Sequence, residues 1–208
     1  MTKPTAFVTG GADRIGKAIA LHLAHLGYDI VLHYNSSKNK AENTKRDIME
    51  AGVSCEIIQI DFSKSCDFDT ILEDLLSRHQ INVLINNASD YQPSHIQDDG
   101  LASFHHHTKV NFEVPYLLTK AFAKLTPKGN IINILDANTE KNQTKYFDYL
   151  LSKKLLRDFT LLAAHHLAPK FRVNGVSPGL VLEAPPLARP EGYVLTAAKN
   201  VPLQTAGT

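Results

Sequence analysis

Six short apolar runs, rich in β-branched residues, alternate with helical patterns along the 208-residue chain and limit the folds open to it. The runs are TAFVTG, YDIVLHY, CEIIQIDF, INVLINNAS, GNIINILDA and FRVNGVSPG, and the helical patterns cover about 15–26, 37–51, 67–79, 111–125 and 147–167. Runs that are apolar at nearly every position are typical of parallel strands covered by helices on both faces. The series predicts a single α/β domain over 1–208, a Rossmann-type doubly wound parallel sheet with ligands at the carboxyl ends of its strands.

Composition excludes several classes of protein. The 22 basic and 21 acidic side chains give a formal net charge of +1, and no cluster of Lys and Arg marks a nucleic-acid or membrane surface. No run reaches the roughly 18 apolar residues of a membrane span, and the N-terminus lacks the apolar segment of a signal peptide. We therefore expect a cytoplasmic protein that binds neither nucleic acid nor membrane.

Histidines and cysteines do not indicate a metal site. Cys55 and Cys66 lack metal-binding spacing, and the sequence shows no third ligand beside His22 and His25. The three consecutive histidines at 105–107 would point about 100° apart on a helix, so they cannot share one ion there. We predict that no metal is bound.

The segment TGGADRIG, Thr9 to Gly16, follows the first strand and opens the first helix. Backbone N–H groups and the helix dipole can hold a pyrophosphate at such a turn. Gly10 permits the tight turn, and Gly16 allows the helix to pack closely on the sheet. Arg14 stands where another glycine might be expected, and is either a solvated cation or a residue beside phosphate or substrate.

The second strand leads into HYNSSKNK, and no acid occurs from Ile30 through Lys40. A site specific for NAD would carry an acid here to accept the ribose hydroxyls. Ser36, Ser37 and Lys38 could instead bind a 2′-phosphate, which favours NADP. Alternatively, one of the serines only caps the second helix, and both roles can coexist.

The segment YLLSK places Tyr149 and Lys153 four residues apart, on one face of a helix. An adjacent ammonium is expected to lower the pKa of Tyr149 from about 10 and make it a proton donor near neutrality. Tyr146 is the rival tyrosine, but Leu150 stands four residues after it, so it lacks the lysine.

TGGADRIG, NNAS (Asn86 to Ser89), Asn111, YLLSK and SPG (Ser177 to Gly179) together resemble the short-chain dehydrogenase/reductase family in order and spacing. The resemblance implies a hydride-transfer enzyme in which Tyr149 is the acid and Lys153 tunes it and holds the nicotinamide ribose. It also implies that Asn111 anchors a water-linked proton relay.

Pro115 supports the role of Asn111. Proline has no N–H, so in a helix the Asn111 carbonyl would lack its partner four residues later and could hold a water. Alternatively, Pro115 lies in a first helical turn, where it does no harm.

Asp136 departs from the family pattern. The family's usual serine lies 13 residues before the active tyrosine, which is the position of Asp136. The pteridine reductases of this family share four departures, found here as Arg14, the Tyr91 that follows NNAS, Asp136 and NGVSPGL (Asn174 to Leu180). A pterin presents ring nitrogens that must gain a proton as hydride arrives, and Asp136 could supply or relay it.

This resemblance implies an NADPH-dependent reductase of dihydropterins or dihydrofolate. The implied cofactor-binding residues are Gly10, Arg14, Ile15, Gly16, Tyr34, Asn35, Ser36, Ser37, Asp61, Phe62, Asn87, Ala88, Tyr149, Lys153, Pro178 and Gly179. The implied substrate-binding residues are Arg14, Ser89, Tyr91, Asp136, Tyr149 and Leu180. A general carbonyl or 3-oxoacyl reductase and a non-catalytic NADP-binding regulator are the alternatives.

The C-terminal region departs from the family. The Pro-rich stretch 181–200 suits a substrate lid. Family members continue into a last helix and a seventh strand, so a sequence ending at Thr208 is expected either to be incomplete or to leave the sixth strand as an exposed edge. The resemblance implies a homo-oligomer, a tetramer, although family tetramers pack through that region.

Overall fold

The computed structural model describes residues 3–141, 145–181 and 192–207. Six strands and seven α-helices are present in these ranges. The strands are β1 Thr5–Val8, β2 Asp29–Tyr34, β3 Cys55–Gln59, β4 Ile81–Asn86, β5 Gly129–Ile134 and β6 Phe171–Val176. The helices are α1 Arg14–His25, α2 Lys38–Glu50, α3 Phe68–Arg78, α4 Ala102–Thr108, α5 Val114–Leu125, α6 Phe147–Leu167 and α7 Tyr193–Ala198.

All strand pairs are parallel, in the order β3-β2-β1-β4-β5-β6. The order reverses between β1 and β4, and in such sheets the ligand crevice lies outside the carboxyl ends of the strands at that point. The predicted doubly wound Rossmann-type fold is therefore confirmed.

The core is divided by the sheet into two clusters, one on each face. Phe7 and Val31 belong to one cluster, whereas Ala6, Ile30 and Leu32 belong to the other. Because side chains alternate across a strand, both clusters draw on the same strands. This explains why the runs are apolar at nearly every position rather than at every second one.

The region before Asn111 differs from the prediction. The helical pattern at 111–125 was expected to be one helix, but α4 precedes it, and a π-helical segment, Lys109–Glu113, joins α4 to α5. Pro115 lies in the first turn of α5 and cannot donate to the Asn111 carbonyl four residues before it. Pro115 therefore takes the position that the alternative gave it, and a water held by the Asn111 carbonyl stays a prediction.

The predicted lid at 181–200 lies partly outside the described residues, because 182–191 are not described. Beyond them, α7 buries Val194 and Ala198. The Gly207 N–H donates to the Leu180 carbonyl at 2.8 Å, which brings this last segment back to the end of the β6 loop. Within the described ranges, no helix has the length and apolar character needed to cross a membrane.

Candidate active site

The glycine-rich turn after β1 is shaped by close backbone packing. Gly10 has a φ of +62°, in the left-handed region that favours glycine. A Cβ added at Gly16 would lie 2.2 Å from the Gly10 carbonyl oxygen, so only glycine lets α1 start this close to the turn. Arg14, the first residue of α1, is exposed and also has a positive φ, of 52°.

Thr9 and Asn87 join this turn to the end of β4. The Thr9 hydroxyl accepts hydrogen bonds from the N–H groups of Asn87 at 2.9 Å and Ala88 at 3.0 Å. The Asn87 amide donates to the carbonyls of Thr9 at 2.9 Å and Gly10 at 3.0 Å. The predicted cofactor residues Asn87 and Ala88 are thus held against the glycine turn, and the Asn87 side chain fixes that turn.

His33, which the sequence reasoning missed, also holds the turn. Its Nδ1 accepts the Gly10 N–H at 3.0 Å, and its Nε2 lies 2.9 Å from the Ile60 carbonyl oxygen. A backbone N–H can only donate, so Nδ1 carries no hydrogen and the ring is the neutral Nε2–H tautomer. Burial lowers the pKa of His33 to about 4, although the hydrogen bond to Ile60 opposes this shift.

The residues predicted to surround the adenosine lie in two different settings. Asn35, Ser36 and Ser37 are exposed between β2 and α2, and the Ser37 side chain makes no capping hydrogen bond to α2. Tyr34 is buried in the core instead. After β3, the Phe62 ring stacks on His33 with a centroid distance of 4.0 Å.

Two further predicted residues lie near this region. The Asp61 carboxylate accepts hydrogen bonds from the N–H and the hydroxyl of Ser63. Ile15 is half-buried in the first turn of α1.

Asp136 and Tyr149 are in direct contact. The Tyr149 hydroxyl donates to Asp136 Oδ2 at 2.7 Å. The other oxygen, Oδ1, accepts the Asn138 N–H at 2.6 Å and caps the 3₁₀ turn Ala137–Glu140. The acid at the end of β5 thus has both oxygens engaged, one by the candidate catalytic tyrosine and one by the backbone.

Lys153 lies on the same face of α6 as Tyr149 but is bound elsewhere. Its Nζ donates to the Ile134 carbonyl at 2.8 Å and lies 5.9 Å from the centre of the Tyr149 ring. Burial lowers the pKa of Lys153 to about 8, and the charge of Asp136 opposes that shift. The lysine is therefore a buried cation that loses its proton close to neutrality.

The pKa of Tyr149 moves in the direction opposite to the sequence-based prediction. Burial raises it above the ordinary tyrosine value, and the charge of Asp136 and the hydrogen bond to Asp136 raise it further. The prediction that Lys153 lowers this pKa is wrong for this arrangement, because a carboxylate accepts the phenolic proton. In this arrangement Tyr149 keeps its phenolic proton at neutral pH and donates it in a hydrogen bond to Asp136.

Asn111 is fully buried in the π-helical segment and holds the chain after β4. Its Oδ1 accepts the Ser89 hydroxyl at 3.0 Å and the Asp90 N–H at 2.8 Å. Its Nδ2 donates to the Asp90 carbonyl at 3.0 Å and to the Ser152 hydroxyl at 3.1 Å. The side chain thus links Ser89, predicted to bind substrate, to α6.

Tyr91 lies against two other tyrosines. Its ring stacks on Tyr146 with a centroid distance of 4.2 Å and an interplanar angle of 16°. It meets Tyr149 edge to face at 4.7 Å and 85°. Since Tyr146 covers one face of the Tyr91 ring, a flat ligand could stack only on the opposite face. Tyr146, the rival catalytic tyrosine of the sequence, is instead a packing partner.

The loop after β6 approaches Asp136. The Pro178 carbonyl accepts the Ala137 N–H at 3.3 Å, and the Val176 carbonyl accepts the Leu135 N–H at 2.7 Å. An added Cβ at Gly179 would meet nothing within 4 Å. Pro178 therefore borders the turn that follows Asp136. The cofactor contacts of Pro178 and Gly179 and the substrate contact of Leu180 stay predictions.

Comparisons with known proteins show which family this chain is similar to. A family model described as short chain dehydrogenase matches residues 4–188. Pteridine reductase 1 of Leishmania tarentolae is 31% identical over 222 residues, covering 86% of this chain and 77% of that protein. Dihydromonapterin reductase of Enterobacter sp. (strain 638) is 30% identical over 184 residues, covering 84% of this chain and 73% of that protein. General stress protein 39 of Bacillus subtilis is 30% identical over 208 residues, covering 97% and 72%.

Solved structures are also similar. The NADP complex of FolM alternative dihydrofolate reductase 1 from Brucella canis has a TM-score of 0.87 and 32% identity, covering 98% of this chain and 81% of that one. The corresponding NADP complex from Brucella suis has a TM-score of 0.90 and 31% identity, covering 97% and 82%. Since this family model matches residues 4–188, the chain belongs to the short-chain dehydrogenase family.

Proposed function

We propose that this protein is an NADPH-dependent pteridine reductase that reduces a dihydropterin or dihydrofolate to the tetrahydro form. The observation that carries the proposal is the 2.7 Å hydrogen bond from the Tyr149 hydroxyl to Asp136, which stands where the family's serine is expected. Relatives named pteridine reductase, dihydromonapterin reductase and alternative dihydrofolate reductase support this substrate class.

The residues present fit NADP. The Gly10 turn leads into the N-terminus of α1, where N–H groups favour a pyrophosphate. Between Ile30 and Lys40 no acid repels a 2′-phosphate, and Ser36, Ser37 and Lys38 are exposed beside the start of α2. NADP complexes of the two Brucella proteins support the same cofactor. When bound, NADPH would supply the hydride.

The substrate would stack on the face of the Tyr91 ring that is opposite Tyr146. That ring is held edge to face with Tyr149, so a flat pterin there lies beside the phenolic hydroxyl. Ser89, on the Asn111 side, and Arg14 would face its polar edge, and Leu180 would border it from the β6 loop. Aromatic stacking with a few convergent polar groups is the usual chemistry of such pockets.

Proton transfer would begin at the Tyr149 hydroxyl. Both Asp136 oxygens accept hydrogen bonds, so this carboxyl acts as an acceptor and not as the immediate donor. Tyr149 gives its proton to the ring nitrogen next to the carbon that receives hydride. Asp136 orients the hydroxyl beforehand and afterwards relays a proton from water to it. Lys153, protonated below about pH 8, balances the charge that develops.

One panel of substrates tests the proposal. The unmodified protein is mixed with NADPH and a dihydropterin, dihydrofolate or a simple ketone, and the loss of NADPH absorbance is followed. We expect turnover with the pterin or folate and little with ketones. Turnover of ketones alone would identify a carbonyl reductase, and NADPH binding without any turnover would identify a non-catalytic regulator.

We further propose that the protein forms a homo-oligomer, a tetramer, in which the outer face of α5 and α6 is one contact. A groove of about 690 Å³ between these helices is lined by Tyr116, Phe159 and Leu162, among others. Leu161 and Leu162 are 58% and 72% exposed. Exposed apolar patches of this kind mark association surfaces. Light scattering of Leu162→Lys should show a smaller assembly than the unmodified protein, and an unchanged mass would contradict this contact.

A cytoplasmic location is the third part of the proposal. Cys55 and Cys66 are both free, which fits a reducing compartment. Cell fractionation with an antibody to the protein tests it, and recovery in a secreted or membrane fraction would contradict it.

A further inference from the structure

His107 is a buried side chain that the proposed chemistry leaves unused. It lies near the end of α4 and is only 1% exposed. Its Nε2 accepts the Gln92 N–H at 3.2 Å, and its Nδ1 lies 2.9 Å from the Ser103 carbonyl oxygen. Because the Gln92 N–H must donate, Nε2 carries no hydrogen and the ring is the neutral Nδ1–H tautomer.

Asp90, which precedes Tyr91 as Gln92 follows it, is also held by side chains of the stretch after α4 begins. The Asp90 N–H and carbonyl are both bound to the Asn111 side chain, and the Asp90 carboxylate lies 2.8 Å from His106 Nε2. With Gln92 held by His107, the residues on both sides of Tyr91 are tied to the stretch that contains α4 and the π-helical segment. The backbone position of Tyr91 is thereby fixed.

The His107 ring also reaches the candidate acid. It lies edge to face with the Tyr149 ring, at a centroid distance of 6.3 Å and an angle of 74°. Tyr149 in turn lies edge to face with Tyr91. One imidazole therefore contacts both the backbone beside the proposed stacking ring and the ring of the proposed proton donor.

We propose that His107 is a positioning residue for the substrate: by holding the Gln92 N–H, it sets the distance between the Tyr91 ring and Tyr149 at which a pterin is bound. The proposal rests on the proposed function, in which the pterin stacks on Tyr91. Its consequence is that His107 affects substrate affinity and leaves the cofactor site, which is held by His33 and Thr9, unchanged.

The tautomer of His107 gives a test that requires no substitution. In ¹⁵N-labelled full-length protein, histidine side-chain spectra should show His107 with its hydrogen on Nδ1. His33, whose Nδ1 accepts the Gly10 N–H, should show the opposite tautomer and serves as an internal reference. A hydrogen on Nε2 of His107 would overturn the proposal, because that nitrogen could not then accept from Gln92.

Two variants test the effect on substrate. In His107→Leu the acceptor is lost, whereas the Gln side chain of His107→Gln can place an oxygen near the position of Nε2. Loss of one hydrogen bond should raise the KM for dihydropterin about tenfold in His107→Leu, with the NADPH Kd unchanged. His107→Gln should have a KM for dihydropterin close to that of the unmodified protein.

His105→Leu, an exposed position on the same helix, is the matched control and should behave like the unmodified protein. A folded His107→Leu with the unmodified KM, or with KM and NADPH Kd raised equally, would overturn the proposal. Absence of any pterin reduction by the unmodified protein would instead overturn the proposed function. The tautomer measurement would still show whether His107 holds Gln92.

Discussion

The crevice has a nucleotide side, after β1 and β2, and a substrate side, after β4 and β5. The same kind of contact holds a different part of the chain on each side. In each, a buried neutral histidine accepts a backbone N–H: His33 from Gly10 and His107 from Gln92. The nitrogens used are opposite, Nδ1 in His33 and Nε2 in His107. A histidine can thus lock a loop in place without placing a charge in the site.

The two sides differ in what the histidine fixes. On the nucleotide side it fixes the backbone of a glycine turn, which is further held by Thr9 and Asn87. On the substrate side it fixes the place of an aromatic side chain, Tyr91. In the proposed function, cofactor binding would therefore depend on the main chain, whereas substrate selection would depend on side chains that can be exchanged singly.

Tyr149→Phe should give the largest effect and should fall on the substrate side alone. General acids contribute typically 10²–10⁴-fold, so steady-state kinetics should show a loss of turnover in that range while NADPH affinity is retained. Tyr146→Phe is the matched control, because it keeps the ring that stacks on Tyr91 and should keep most activity. If both variants were equally impaired, Tyr149 would not be the specific donor.

Asp136→Asn should reduce pterin turnover by about 10², at the lower end of the range for acid–base groups, since an amide cannot relay a proton. Asp136 also raises the pKa of Lys153, which is about 8 in the unmodified protein. Activity that needs the Lys153 cation falls as pH rises through about 8, and this limit should move to lower pH in the variant. The pH–rate profiles of both proteins, measured with saturating NADPH, give the comparison.

Glu140→Gln is the matched control for Asp136→Asn. Glu140 ends the same 3₁₀ turn and pairs with Arg157 at 2.7 Å on the surface. We expect unchanged turnover and an unchanged pH profile. A shift as large as that of Asp136→Asn would mean that loss of charge near the turn, and not the relay, explains the effect.

His33 should make the nucleotide side sensitive to acid. Its pKa is lowered to about 4 in the folded protein, against about 6.5 for an ordinary histidine, so the unfolded chain gains a proton first as pH falls. The stabilisation is present above about pH 6.5 and lost as pH falls toward about 4. Between about pH 6 and 4.5 this loss should lower the free energy of unfolding by about 2 kcal/mol.

The measurement is urea unfolding of the unmodified protein and of His33→Asn at both pH values. Asparagine can accept near the position of Nδ1 but does not titrate in this range, so the variant should lose less stability on acidification. Equal losses in the two proteins would show that His33 does not titrate in the way described.

Lys38→Glu should give the smallest effect, a change of about fivefold in the preference for NADPH over NADH, as expected for one exposed charge that contributes about 1 kcal/mol. Ratios of kcat/KM for the two cofactors measure it. Lys128→Glu, exposed at the opposite edge of the sheet, is the control. An unmodified protein that used both cofactors equally would contradict NADPH preference itself.

The sheet and the catalytic contact could be predicted from sequence because they depend on local patterns. Apolar runs marked all six strands, and the helical patterns at 37–51, 67–79 and 147–167 match α2, α3 and α6 within a residue at each end. The pairing of Asp136 with Tyr149 was predicted from the resemblance to the family, whose serine lies 13 residues before the active tyrosine, and the two side chains are hydrogen-bonded.

The parts that sequence reasoning missed depend on distant contacts. The segment Ala102–Thr108 has three histidines and no clear apolar stripe, so α4 was not predicted. The roles of His33 and His107 are set by which backbone N–H each ring meets, across 23 and 15 residues respectively. The position of His33 within the apolar run YDIVLHY was a signal of burial but not of the partner, and His107 lacks even that signal.

The π-helical segment Lys109–Glu113 constrains how this chain can change in evolution. A π-helical turn contains one residue more than an α-helical turn. Deleting a residue between His107 and Asn111 would restore α-helical spacing and rotate one of them by about 100° relative to the other. Both side chains form hydrogen bonds with the segment 89–92, so the hydrogen bonds of one of them would be lost. The stretch from His107 to Asn111 can therefore vary in residue type on its outer face, but not in length.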